Sequence, residues 1–192
     1  MSLIPDFKIG IGNAWLFMSV FLIQMIVIMF VDKRIQEKSH VPPEARKNSF
    51  ERYVGIAGNF IWLLAMGYSV FLPLQLGTLW FYMGLFIFII GSALIGIATF
   101  NFISAPVNQL ITKGAYSFSR HPMYLAVFFI CLGTGISSAS WTFIFLSLIM
   151  ALCFYQEALI EERYCLSRYG KVYKEYSSRS PRWIGFPKKH CQ

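Results

Sequence analysis

Sixty consecutive residues, from Tyr53 to Thr112, contain no Lys, Arg, Asp or Glu. A stretch that long cannot be surface in water, because a water-soluble domain carries about 25% charged residues distributed over its exterior. Here charged residues make up 14% and hydrophobic ones 56% of 192. The charge is also segregated, with eight of the 17 Lys and Arg in the last 32 residues. An ordinary soluble enzyme is excluded, and the pattern predicts an all-α, polytopic membrane helical bundle. The net charge of +8 then speaks of orientation across a bilayer, and no nucleic-acid partner is expected.

About 20 apolar residues cross a bilayer core as a helix. Runs at 11–31, 53–72, 79–100 and 141–160 meet that length. The second stops at Pro73, which has no N–H to continue a helix. The run 123–136 is short, and the break at Ser137-Ser138-Ala139-Ser140 makes it the first arm of a tight hairpin with 141–160. The first run is longer than a signal-peptide core, and no small-residue cleavage site precedes Asp32, Lys33 and Arg34, so it is expected to be a true span. With about five transmembrane helices, sixteen of the 17 basic residues fall on one face, the cytosolic one by the positive-inside rule. The N-terminus is then outside. The basic loop 32–52, the segment 101–122 and the basic C-terminal tail share the cytosolic side.

Several chemistries are absent from the sequence. No CxxC or Cys/His cluster offers a metal site, and the four Cys are expected to be free thiols. No Walker loop, HExxH or GxSxG motif occurs. Gly10-Ile11-Gly12 lacks both a preceding strand and the third glycine of a nucleotide loop, and no βαβ alternation could build a dinucleotide fold.

Two polar segments remain at the predicted cytosolic interface. The first runs from Asn108-Gln109-Leu110-Ile111 through Thr112-Lys113-Gly114-Ala115-Tyr116 to Ser119-Arg120-His121-Pro122-Met123-Tyr124. Gly114 suits a turn and Pro122 the first position of a helix. Arg120 and His121 then stand where unpaired helix N–H groups favour anions; the same residues would equally suit a lipid-facing interface with tyrosines in an aromatic belt. The second follows the last span, Glu157-Ala158-Leu159-Ile160-Glu161-Glu162-Arg163-Tyr164. Glu157 and Glu161 lie one helical turn apart on one face, where like charges repel. The tail continues with Tyr169-Gly170, Tyr173 and Tyr176, then Pro181-Arg182-Trp183, a basic and aromatic composition suited to contact with anionic membrane lipids.

In this order and spacing, Leu110-Ile111-Thr112-Lys113-Gly114-Ala115-Tyr116, Arg120-His121-Pro122-Met123-Tyr124, the apolar hairpin, Glu161-Glu162-Arg163 and Pro181-Arg182-Trp183 strongly resemble the isoprenylcysteine carboxyl methyltransferase and phospholipid methyltransferase superfamily. The resemblance covers residues 101–187, so that 1–100 would supply N-terminal spans and 101–192 a methyltransferase core. It implies S-adenosyl-L-methionine as cofactor, held in a cytosolic pocket without a dinucleotide fold, and a lipophilic substrate drawn from the bilayer.

Carried onto matching positions, the resemblance places Asn108, Gln109, Leu110 and Ile111 in the cofactor wall. Tyr116, His121, Pro122, Met123 and Tyr124 would close over it, and Glu161 would take the ribose hydroxyls. Asn101 stands where the prenylcysteine branch has an amide, and His121 could meet the methionine carboxylate. Arg120 and Glu157 stand as the candidate catalytic residues.

In that branch an Arg one turn before the cofactor Glu holds the substrate carboxylate, whereas this chain has Glu157. An anion there would repel a carboxylate in a dry site, which favours an amine, thiol or lipid headgroup as acceptor. Two alternatives stay open: an NADPH-dependent enzyme like the sterol reductases, which share an Arg-His-Pro-x-Tyr element, and a non-enzymatic membrane scaffold.

Overall fold

A computed structural model describes residues 8–30, 42, 45–106 and 109–187. The described residues form seven helices: α1 (Trp15–Met29), α2 (Ser49–Ser69), α3 (Leu79–Ser104), α4 (Ala115–Phe118), α5 (Pro122–Ser137), α6 (Trp141–Tyr169) and α7 (Lys171–Arg179). They hold no strand, only an isolated bridge between Asn13 and Pro73. The fold is therefore all-helical, and each of the five apolar runs has become a helix. Two of them, α3 and α6, are long and apolar enough to cross a membrane. Both continue past the expected runs, α3 through residue 101 to Ser104 and α6 nine residues beyond Ile160.

The five long helices alternate in direction. At one end the start of α1, the end of α2, the start of α3 and the α5–α6 turn are laced together. Asn13 donates its side-chain amide to the Val70 carbonyl at 2.7 Å, the Ala14 N–H reaches the Leu72 carbonyl at 2.8 Å, and the Gln75 N–H reaches the Ser137 carbonyl at 3.0 Å. Those carbonyls would otherwise be the orphan acceptors of a helix end, which explains why α2 stops at Ser69 rather than at residue 72. The α5–α6 turn passes through Ala139 at φ 50°, and the Ser140 hydroxyl caps α6 by accepting from the Phe143 N–H.

The most extensive helix pairing is α3 on α5, made possible by glycine. A Cβ on Gly133 would sit 2.6 Å from the Phe88 backbone nitrogen, and one on Gly91 would sit 2.8 Å from that of Ile130. Small residues let two apolar helices approach until their backbones touch, the usual device where no water drives association. Around this seam pack Met18, Phe17 and Phe21 of α1, Ala65 of α2 and Met150 of α6. The exterior is apolar too: Leu22, Ile26, Phe60, Leu63, Phe86, Ile89, Phe145 and Leu152 are all exposed. A contiguous apolar belt of this kind marks contact with something other than water.

Candidate functional site

The charged residues gather at the end of the bundle opposite the lacing. There α6 outlasts its apolar part, because Glu161, Glu162 and Arg163 find partners there, and it ends at Gly170 with φ +54°. The chain reverses into α7, whose Tyr173 and Tyr176 turn inward. A strap, residues 180–187, then folds back on the link between α4 and α5. The Arg120 N–H donates to the Pro181 carbonyl at 2.9 Å and the Gly185 N–H to the Phe118 carbonyl at 3.2 Å. The Tyr176 hydroxyl donates to the Tyr116 carbonyl at 2.7 Å.

Beside these pieces a half-open cavity of about 340 Å³ lies between α6, α7, the start of α5 and the segment before it, within the range of small-molecule sites. Ten of the expected site residues line it: Gln109, Leu110, Ile111, Tyr116, Arg120, His121, Pro122, Met123, Tyr124 and Glu161. Two do not, and Asn108 lies outside the described residues. The Asn101 amide is lodged against Gly114, at φ +64°, where any side chain would collide with it, and its Nδ2 is buried without a hydrogen-bond partner. Glu157 sits one turn along α6, and Arg46 Nη2 reaches its two oxygens at 3.1 and 3.0 Å. Gly55 of α2 lies against that pair, so that a Cβ there would press on Glu157 Oε1 at 2.9 Å. Glu157 is therefore not an uncompensated anion, which removes the electrostatic ground for disfavouring a carboxylate acceptor.

Pro122 opens α5 as expected, with His121 as the residue before it. The His121 ring is not free to meet a ligand anion. Its Nδ1 faces Glu161 Oε2 at 3.2 Å and its Nε2 faces Glu162 Oε1 at 3.2 Å. Burial alone would lower its pKa, but the hydrogen bonds to Glu161 and Glu162 outweigh that and hold it above the ordinary value. Both ring nitrogens are thus engaged by carboxylates, an arrangement that favours the protonated ring, which can donate from both. Glu161 also accepts from the Tyr124 hydroxyl at 2.5 Å, and at 30% side-chain exposure it keeps acceptor capacity toward the cavity. Arg120 contacts Glu162 at 3.2 Å and Tyr173, while its Nε is buried with no hydrogen-bond partner among the described residues. Arg120, not His121, is the donor left over at this helix start. Burial raises the Tyr116 phenol well above its ordinary pKa, so this wall of the cavity is neutral.

Sequence reasoning missed Glu162, Cys165, Arg168, Tyr169, Tyr173 and Tyr176 in the lining. The signal was available: 161, 165, 168 and 169 follow helical spacing, as do 173 and 176, once α6 is continued through its charged turns.

The phospholipid methyltransferase family model matches residues 72–172, the stretch from within the α2–α3 link to the start of α7. The chain is 34% identical over 79 residues to protein-S-isoprenylcysteine O-methyltransferase of Schizosaccharomyces pombe, covering 40% of this chain and 33% of that protein. It is 35% identical over 77 residues to the nickel-cobalt-cadmium resistance protein NccN of Alcaligenes xylosoxydans xylosoxydans, covering 38% of this chain and 35% of that protein. The alignments thus span about a third of the length of these curated relatives. With more than half its residues matched by the family model, and the motifs that fit it facing one cavity, the chain belongs to the phospholipid methyltransferase family.

Proposed function

We propose that this protein is an integral-membrane methyltransferase that binds S-adenosylmethionine in the 340 Å³ chamber and methylates a lipophilic acceptor. The observation that carries the reading is the makeup of that chamber. An acidic acceptor, Glu161, the guanidinium residue Arg120 and a wall of tyrosines line one space. This donor set suits a ligand with hydroxyls, a carboxylate and an aromatic base. In the proposed arrangement Glu161 accepts from the ribose, Arg120 holds the carboxylate, and Tyr116 with the α7 tyrosines encloses the rest. Gln109, Leu110 and Ile111 belong to the same wall on this reading. When bound, S-adenosylmethionine supplies an electrophilic methyl on a sulfonium. The residues then need to align the acceptor and exclude water more than to move protons.

The topology follows the same reading. Helices α1, α2, α3, α5 and α6 are five spans, with the N-terminal end outside and the chamber, the segment before α2 and the tail cytosolic. Supporting it are the alternating helices, the apolar exterior and the crowding of Arg46, Glu51, Arg120, Glu161, Glu162 and Arg163 at one end. The basic tail rests on anionic lipids. The acceptor enters sideways from the bilayer, and its reacting atom, whether amine, thiol, headgroup or carboxylate, is not selected by the charge of Glu157 alone, because Arg46 balances it.

Calorimetry on the detergent-purified protein with S-adenosylmethionine, S-adenosylhomocysteine and NADPH tests this directly. Binding of the first two is expected. Binding of NADPH alone would sink the proposal, and binding of none would make the protein a scaffold.

A further inference from the structure

Glu162 is 12% exposed and meets three cationic side chains. Only Arg182 engages both of its oxygens, Nε to Oε1 and Nη2 to Oε2, each at 2.8 Å. A two-pronged guanidinium–carboxylate contact fixes orientation as well as charge. Arg182 does not line the chamber. It is held from outside, its guanidinium 5.8 Å over the Tyr155 ring and its carbonyl accepting from the Ser119 hydroxyl at 3.2 Å. From Arg182 the contacts run to Glu162, then to His121, then to Glu161, then to Tyr124. All of these but Arg182 line the chamber.

We propose that Arg182 is a positioning residue: it holds Glu162 where Glu162 fixes His121, and through His121 it sets the chamber carboxylate Glu161. The proposal rests on the chamber being the S-adenosylmethionine site. Without the fork, Glu162 can rotate away, His121 keeps one carboxylate instead of two, and Glu161 loses its support from behind. Ligand affinity falls although Arg182 never touches the ligand. The charged and titratable groups around His121 are Glu161, Glu162, Tyr124, Arg120, Arg182 and, from α7, Tyr173, which reaches it through Arg120 and Glu162. Of these only Glu161 and Glu162 bond to the ring.

The experiment combines nuclear magnetic resonance of nitrogen-15 histidine with calorimetry, on the full chain in detergent. The chain has 3 His, and loss of one signal in His121→Asn assigns the resonance. Arg182→Gln is expected to lower the His121 titration midpoint by about one pH unit and to weaken S-adenosylhomocysteine binding about tenfold. Arg182→Lys keeps the charge without the fork, and should give smaller changes in the same direction. A purely structural role would leave the midpoint of the folded fraction where it is. An unchanged or raised midpoint in Arg182→Gln overturns the proposal, because Glu162 then stays on His121 unaided. If Arg182→Gln does not fold, an unshifted midpoint in Arg182→Lys overturns it equally. Absence of ligand binding in the wild type, with the midpoint shift present, overturns the methyltransferase reading while supporting the positioning role.

Discussion

Two acidic neighbours on α6, Glu161 and Glu162, do different work because their surroundings differ. Glu162 is enclosed by Arg120, His121 and Arg182, whereas Glu161 faces the cavity with Tyr124 and His121 at its back. Replacing Glu161 or His121 by Ala should therefore weaken S-adenosylhomocysteine binding by about 10- to 100-fold, the worth of a charge-assisted hydrogen bond, with helical content unchanged. Calorimetry and circular dichroism on the same samples check both halves, and wild-type affinity in either variant would remove that residue from the site. Glu157 yields a second prediction. Arg46→Ala exposes the Glu157 anion that Arg46 now balances, and turnover should shift by about tenfold toward cationic over carboxylate acceptors, measured with an acceptor panel under one radiolabelled donor. Equal losses on every acceptor would place the pair outside the acceptor path. The Arg46 partnership bridges 111 residues, and no local pattern marks it. The motif residues around His121 were legible because they are consecutive, and Glu161 through the resemblance; the contacts with Glu162 and Arg182 were not.

At the scale of elements, apolar runs translated well into helices because burial and backbone satisfaction demand the same thing of them. The ends did not translate, since hydropathy goes silent where a helix leaves the apolar layer. α6 runs to Tyr169 through charged turns held by partners on other elements, such as the 2.7 Å contact of Arg163 with Glu51. α7 and the strap lie wholly in that silent region. The α3–α5 seam offers the sharpest test of packing. Gly133→Val should overpack it, destabilising the protein by about 1–3 kcal/mol. Gly67→Ala, with nothing within 4 Å of the new Cβ, should be neutral or slightly stabilising. Thermal midpoints in one detergent compare the two, and equal midpoints would mean that the seam yields.

For the whole molecule, the charge on His121 links folding to pH. Its folded pKa lies above the ordinary value of about 6.5. Its contribution is therefore complete below about pH 6.5 and is lost as pH rises through the folded value. The stability gap between wild type and His121→Asn should narrow on that rise, as thermal midpoints from pH 6 to 9 would show; a gap that widens would mean that His121 is buried neutral. A last consequence of the proposed function belongs to α6, one unbroken helix of 29 residues that carries both a segment long and apolar enough to cross a membrane and a wall of the chamber. Residues 141–160 measure about 30 Å at 1.5 Å per residue, close to the thickness of a hydrocarbon core. With no hinge between the two parts, lipid length becomes an input to the enzyme. A thicker bilayer draws Glu161 toward the acyl chains, and a thinner one tilts the helix under the chamber. On that reading, methyl transfer in vesicles of graded chain length should pass through a maximum, the membrane both supplying the acceptor and tuning the site; a flat profile would show the two parts of α6 to be mechanically independent.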